Sequence, residues 1–120
     1  MISQKWGRII NISSMWGQVG ASCEVLYSAT KGAVDAFTKA AAKELIYSGI
    51  TVNAVSPGVV DTAMMRAMGE ETCQSVVEEI PLGRALQPEE IARWVAHFAS
   101  DASDAVTGQI LGINGGMEIH

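Results

Sequence analysis

The chain has 120 residues, 48% of them hydrophobic, and a formal net charge of -5. Its eight Lys and Arg residues are scattered, which excludes the clustered basic surface that phosphate binding needs, and no apolar run approaches the roughly 20 residues that cross a bilayer. Met1 to Ser13 is too short, and too interrupted by Gln4, Lys5 and Arg8, to read as a signal peptide, so the expected address is cytoplasmic, with neither nucleic acid nor membrane as a partner.

Gly7 to Ser13, "GRIINIS", is a β-branched run opened by glycine and predicts a buried strand. Met15 to Val25 contains Gly and Ser and predicts a loop. From Leu26 to Tyr47 the spacing is helical, with Leu26, Ala29, Ala33, Phe37, Ala40 and Leu45 as the apolar stripe. Asp35, Lys39 and Lys43 lie four apart and read as a solvated face, with Asp35 and Lys39 a favourable pair. Gly49 is placed to end that helix.

Ile50 to Ser56, "ITVNAVS", predicts a second strand stopped by Pro57-Gly58. Met64 to Gly69 and Glu70 to Ile80 read as weaker helical pieces. Pro88 opens a better helix, since proline suits the first turn and Glu89 and Glu90 suit its positive dipole end; Ile91, Trp94, Val95 and Phe98 form its stripe. Gly108 to Gly115, "GQILGING", predicts a third strand. Strands separated by helices imply a parallel α/β sheet, and three strands look like part of a larger one. Cys23 and Cys73 read as two free thiols, and the two histidines, His97 and His120, lack a ligand cluster, so no metal site is expected.

Three polar side chains stand out. Tyr27 and Lys31 are four apart at a helix start and project from one face. A phenol ordinarily titrates near 10, and a neighbouring ammonium favours the phenolate, which makes such a pair able to pass a proton at neutral pH. Ser14, at the end of the first strand, could donate a hydrogen bond to the same substrate oxygen. The plain alternative is an exposed tyrosine, a solvated lysine and a strand-terminating serine, and spacing alone does not choose between them.

The segments "GRIINISSMWG", "YSATKGAVDAFTKAAAKEL", "ITVNAVSPGVVDTAM" and "VTGQILGINGGM" resemble, in order and over nearly the whole chain, the C-terminal half of the short-chain dehydrogenase/reductase family. The flavour is that of bacterial 3-oxoacyl-[acyl-carrier-protein] reductases. The resemblance implies the C-terminal half of a Rossmann-like doubly wound sheet, with residues 1–120 as one partial domain. It implies reduction of a ketone, small or carried on an acyl carrier protein, with NADP(H) rather than NAD(H). The family's catalytic serine falls on Ser14, thirteen residues before the tyrosine, its proton donor on Tyr27 and its lysine, which also binds the nicotinamide ribose, on Lys31. Cofactor contacts are implied at Tyr27, Lys31, Pro57, Gly58, Val60 and Thr62, although Thr62 could equally be a helix N-cap. Substrate contacts fall on Ser14, Met15, Trp16, Val19 and Gly20, with ordinary packing the alternative for the apolar ones. A homo-oligomer is implied as well.

No G-x-x-x-G-x-G turn, the family's pyrophosphate cradle, occurs in the sequence. The expectation is therefore a truncated reductase, inactive alone or nearly so for want of a held cofactor. The rival expectation is a non-catalytic oligomerisation module, for which the small-residue run Lys39 to Leu45 would permit close helix approach.

Overall fold

The strand Ile50–Pro57 (β2) is the centre of the structure, a computed structural model that describes residues 1–120. Ile50 through Ser56 are all buried. Successive strand side chains point to opposite faces, so burial of every one means that both faces of β2 are covered. Gly7–Ile12 (β1) pairs with β2 in parallel, Ile9 opposite Val52 and Ile12 opposite Val55. Ile110–Ile113 (β3) pairs with the other edge of β2, also in parallel, Val55 opposite Leu111. The sheet order is β1-β2-β3, the α/β architecture the alternation of elements implies.

Five helices fill the connections: Met15–Val19 (α1), Val25–Leu45 (α2), Ala63–Arg66 (α3), Glu70–Glu78 (α4) and Pro88–Ala99 (α5). The 21-residue α2 links β1 to β2 and lays Ala42 on Ile50 and Val52, with Ile9, Ala41 and Leu45 around them. Burying Ile50 and Val52 contributes roughly 1.5–3 kcal/mol each. Gly49 ends this segment at φ 72°, a left-handed conformation that favours glycine, and a Cβ there would also strike the Lys5 carbonyl. Asn53 fixes the far crossover: its amide donates to Val106 O at 3.0 Å and its Oδ1 accepts from Gln109 N at 3.0 Å. No helix is long and apolar enough to cross a membrane.

Three sequence-based expectations need correction. Met15 to Val25 is not all loop, since α1 occupies its first five residues with Ser14 as N-cap. Of the expected α2 stripe only Leu45 packs at the core; Leu26 is 79% and Phe37 59% exposed, Ala29, Ala33 and Ala40 are exposed too, and the buried residues are Asp35, Thr38 and Ala42. Helical spacing identifies a stripe, but contact with the sheet chose the more polar one. Thr38 suits that place because its hydroxyl donates to Val34 O at 2.8 Å and accepts from Asn11 Nδ2 at 3.0 Å, leaving it satisfied in the core. Asp35 is therefore buried rather than solvated, and no ion pair joins it to Lys39; the ion pairs are Arg8–Asp104, Arg66–Asp61 and Arg84–Glu90.

Candidate active site

The end of β1 runs straight into α1. Ser13 is buried, its N–H donates to Val55 O at 2.8 Å, and its hydroxyl donates to the Lys31 carbonyl at 3.3 Å. Ser14 follows in extended conformation as the α1 N-cap, its Oγ accepting from Trp16 N at 3.2 Å. A serine hydroxyl has one hydrogen to give, and capping uses only its acceptor side, so Ser14 keeps that hydrogen for another oxygen.

Across from this junction stands the first part of α2. Lys31 Nζ lies 5.8 Å from the centre of the Tyr27 ring, so the predicted face is formed. The ammonium also donates to Ile12 O at 3.1 Å, which leaves two of its three hydrogens free. Tyr27 is 42% exposed, so its ring remains open to a reactant. The strand end and the helix start are thus fastened together, Ser13 to the Lys31 carbonyl and Lys31 to the Ile12 carbonyl. Ile12 is a participant that sequence reading missed, because a backbone acceptor carries no side-chain signal.

A second feature borders Ile12. An apolar groove of about 450 Å³ is lined by Ile12, Pro57, Val60, Thr62 and, from α5, Pro88, Ile91, Ala92 and Val95. Three of the residues expected to touch a cofactor, Pro57, Val60 and Thr62, therefore share one wall. Thr62 also takes the alternative role foreseen for it, its Oγ1 accepting from Met65 N at 3.2 Å as the N-cap of α3. The α5 wall is fixed at its start. Hydrogen bonds from the Arg84 guanidinium, with a further one from Gln87 N, lower the Glu90 carboxyl to about 2, partly opposed by desolvation.

The remaining expected residues divide. Gly58 approaches Asn114 so closely that a Cβ on it would lie 2.7 Å from Asn114 Cβ, and Met15 is buried behind it, its sulfur 3.3 Å from that same point. Both sit where packing alone accounts for them. Trp16 is half-buried, and Val19 and Gly20 are exposed at the end of α1, with Gly20 as its C-cap at φ 75°. Asp35, the buried acid of α2, has an Oδ1 that is sealed from solvent without a hydrogen-bond partner. It borders a cleft of about 520 Å³ with Gln18, Lys39 and Gln109.

A family model described as "Enoyl-(Acyl carrier protein) reductase" matches residues 1–118. The chain belongs to the short-chain dehydrogenase/reductase family. It is 52% identical over 116 residues to "Uncharacterized oxidoreductase YmfI" of Bacillus subtilis, covering 97% of this chain and 48% of that protein. It is 46% identical over 117 residues to "3-oxoacyl-[acyl-carrier-protein] reductase FabG" of Aquifex aeolicus, covering 98% and 47%. An "Acetoacetyl-CoA reductase" of Allochromatium vinosum is 45% identical over 120 residues, covering 100% and 49%. The chain thus spans about half the length of the curated relatives it matches.

Membership of this short-chain family implies a nicotinamide cofactor, and the donor set can be tested against one. The groove beside Ile12 has apolar walls suited to a flat ring, and Thr62 retains its hydroxyl hydrogen after capping α3. Lys31 keeps two N–H hydrogens free to donate. An apolar wall and spare hydrogen-bond donors are the kind of groups that the nicotinamide end of such a cofactor needs.

Proposed function

We propose that this chain carries the proton-handling part of a nicotinamide-dependent ketone reductase, built as one partial Rossmann-like domain and working in the cytoplasm. The observation that carries the reading is the Lys31 ammonium held at the Tyr27 ring by the carbonyl of Ile12, the residue just before Ser13 and Ser14. A ketone oxygen placed between Ser14 and Tyr27 would receive hydrogen bonds from both hydroxyls. When bound, the reduced nicotinamide supplies hydride to the carbonyl carbon. Tyr27 gives its phenolic proton to the carbonyl oxygen, the product is the alcohol, and the Lys31 charge stabilises the phenolate left behind. Trp16 and Val19, on α1, are the residues we assign to the substrate's remaining atoms, along with Gly20 nearby, whereas Met15 is packed in the core.

The substrate class we favour is a 3-oxoacyl thioester on an acyl carrier protein, with NADP(H) as cofactor. Support comes from the relatives' names, which include 3-oxoacyl-[acyl-carrier-protein] reductases and an acetoacetyl-CoA reductase. Titration of the chain with NADPH, followed by fluorescence and by its oxidation in the presence of an acetoacetyl thioester, tests the reading. The expected result is saturable binding and turnover that Tyr27→Phe abolishes at unchanged circular dichroism; a folded chain that binds no NADPH would refute it.

One observation favours a second reading, in which the chain serves as an assembly surface. Leu26 and Phe37 are 79% and 59% exposed on one side of α2, an apolar face that a homo-oligomer would cover. Sedimentation of the chain beside its Phe37→Glu variant checks this: an oligomer that the charge dissociates supports it, and a monomeric wild-type chain removes it.

A further inference from the structure

Glycine is a poor helix former, yet Gly17 occupies the middle of α1. Its surroundings supply the reason. A Cβ there would lie 2.7 Å from the Lys31 carbonyl carbon, 2.8 Å from Lys31 Cβ and 2.9 Å from Gly32 N. None of these atoms can rotate aside. From the opposite side, a Cβ on Gly32 would lie 3.3 Å from the Gly17 carbonyl oxygen. The two helices therefore meet main chain to main chain at the turn that bears Lys31. Two hydrogen bonds fasten that same turn to the β1 end, Ser13 Oγ to Lys31 O and Lys31 Nζ to Ile12 O. Ser14 caps α1, so the seat of α1 on α2 also sets where Ser14 stands relative to Tyr27 and Lys31.

We infer that Gly17 is a positioning residue for Ser14 and Lys31: by lacking a side chain it lets α1 close on the α2 backbone at Lys31. Its consequence for turnover rests on the reductase reading, whereas the geometry does not. Any side chain at this position moves α1 outward, stretches the Lys31–Ile12 hydrogen bond and draws Ser14 away from the oxygen it would serve. Misplacement by about 1 Å costs on the order of a hundredfold in rate.

The test has two arms on the Gly17→Ala chain. In the first, the side-chain ammonium signals of 15N-labelled lysines are recorded, Lys31 being assigned by its loss in Lys31→Met. The expected result is a displaced or exchange-broadened Lys31 signal while those of Lys5, Lys39 and Lys43 stay in place. In the second, NADPH-dependent reduction of an acetoacetyl thioester should fall roughly ten- to hundredfold in kcat with KM near that of the wild type. If the wild-type chain shows no turnover, the reductase reading fails for it and the first arm still decides the positioning role. A folded Gly17→Ala chain with an unmoved Lys31 signal overturns the inference, as does one in which all four lysine signals move together. Should Gly17→Ala not fold, Gly32→Ala, which presses on the same contact less severely, is judged by the same lysine signals.

Discussion

Replacing Asp35 by alanine should stabilise the protein. Asp35 is 7% exposed, and its Oδ1 has given up water without gaining a donor. A buried polar atom left in that state costs about 1–3 kcal/mol. Alanine removes it and adds roughly half a kcal/mol of helix propensity within α2. Against this stands the packing of the lost carboxyl group, which is small because Asp35 borders an open cleft of about 520 Å³. The net expectation is a gain of about 1–2 kcal/mol, or a rise in Tm of roughly 5 °C for a chain this size. Urea unfolding followed by circular dichroism measures it, with the midpoint rising at unchanged slope. Asp35→Asn keeps the shape but leaves a polar amide in the same buried place, so its gain should be the smaller of the two. An alanine variant no more stable than the wild type would show instead that the Asp35 carboxyl has a partner in solution.

Three further outcomes are expected. The Glu90 carboxyl is lowered to about 2 from an ordinary 4.5, chiefly by its hydrogen bond from Arg84. A depressed folded-state value gives stability that is full above the unfolded value and is lost as pH falls, so the stability gap between wild type and Glu90→Gln should close between about pH 4.5 and pH 2; a gap constant across that window in thermal melts would contradict the assignment. Gly58→Ala forces a Cβ to 2.7 Å from Asn114 Cβ and should cost about 1–3 kcal/mol in urea titrations, without a change in substrate affinity if Gly58 acts by packing alone. Asn53→Ala leaves Gln109 N and Val106 O unpaired beside β2 and should cost about 2 kcal/mol, with faster amide exchange confined to residues 106–110.

The helices and strands were legible because each carries its own period and its own punctuation. Gly49 and Pro88 mark ends that the structure keeps, at the left-handed turn after Tyr47 and Ser48 and at the first turn of α5. The pairing of Tyr27 with Lys31 was legible for the same reason, since a four-residue step on a helix fixes a shared face whatever surrounds it. The short helix α1 was missed because its five residues are sustained by the Ser14 cap and by contact with α2, not by propensity.

What the sequence determined by itself is therefore local and periodic: the β-α-β order, the parallel sheet, and which side chains share a helical turn. Only the tertiary structure decided which stripe of α2 faces inward. It placed Asp35, Thr38 and Ala42 against the sheet and left Leu26 and Phe37 outside, because hydrogen bonds from Asn11 and to Val34 satisfy Thr38 there. It decided too that Lys31 is held by a backbone carbonyl nineteen positions earlier in the chain, at Ile12, and that Gly17 is needed where two main chains touch. Contacts of that kind depend on distance through space, and no spacing along the chain encodes them.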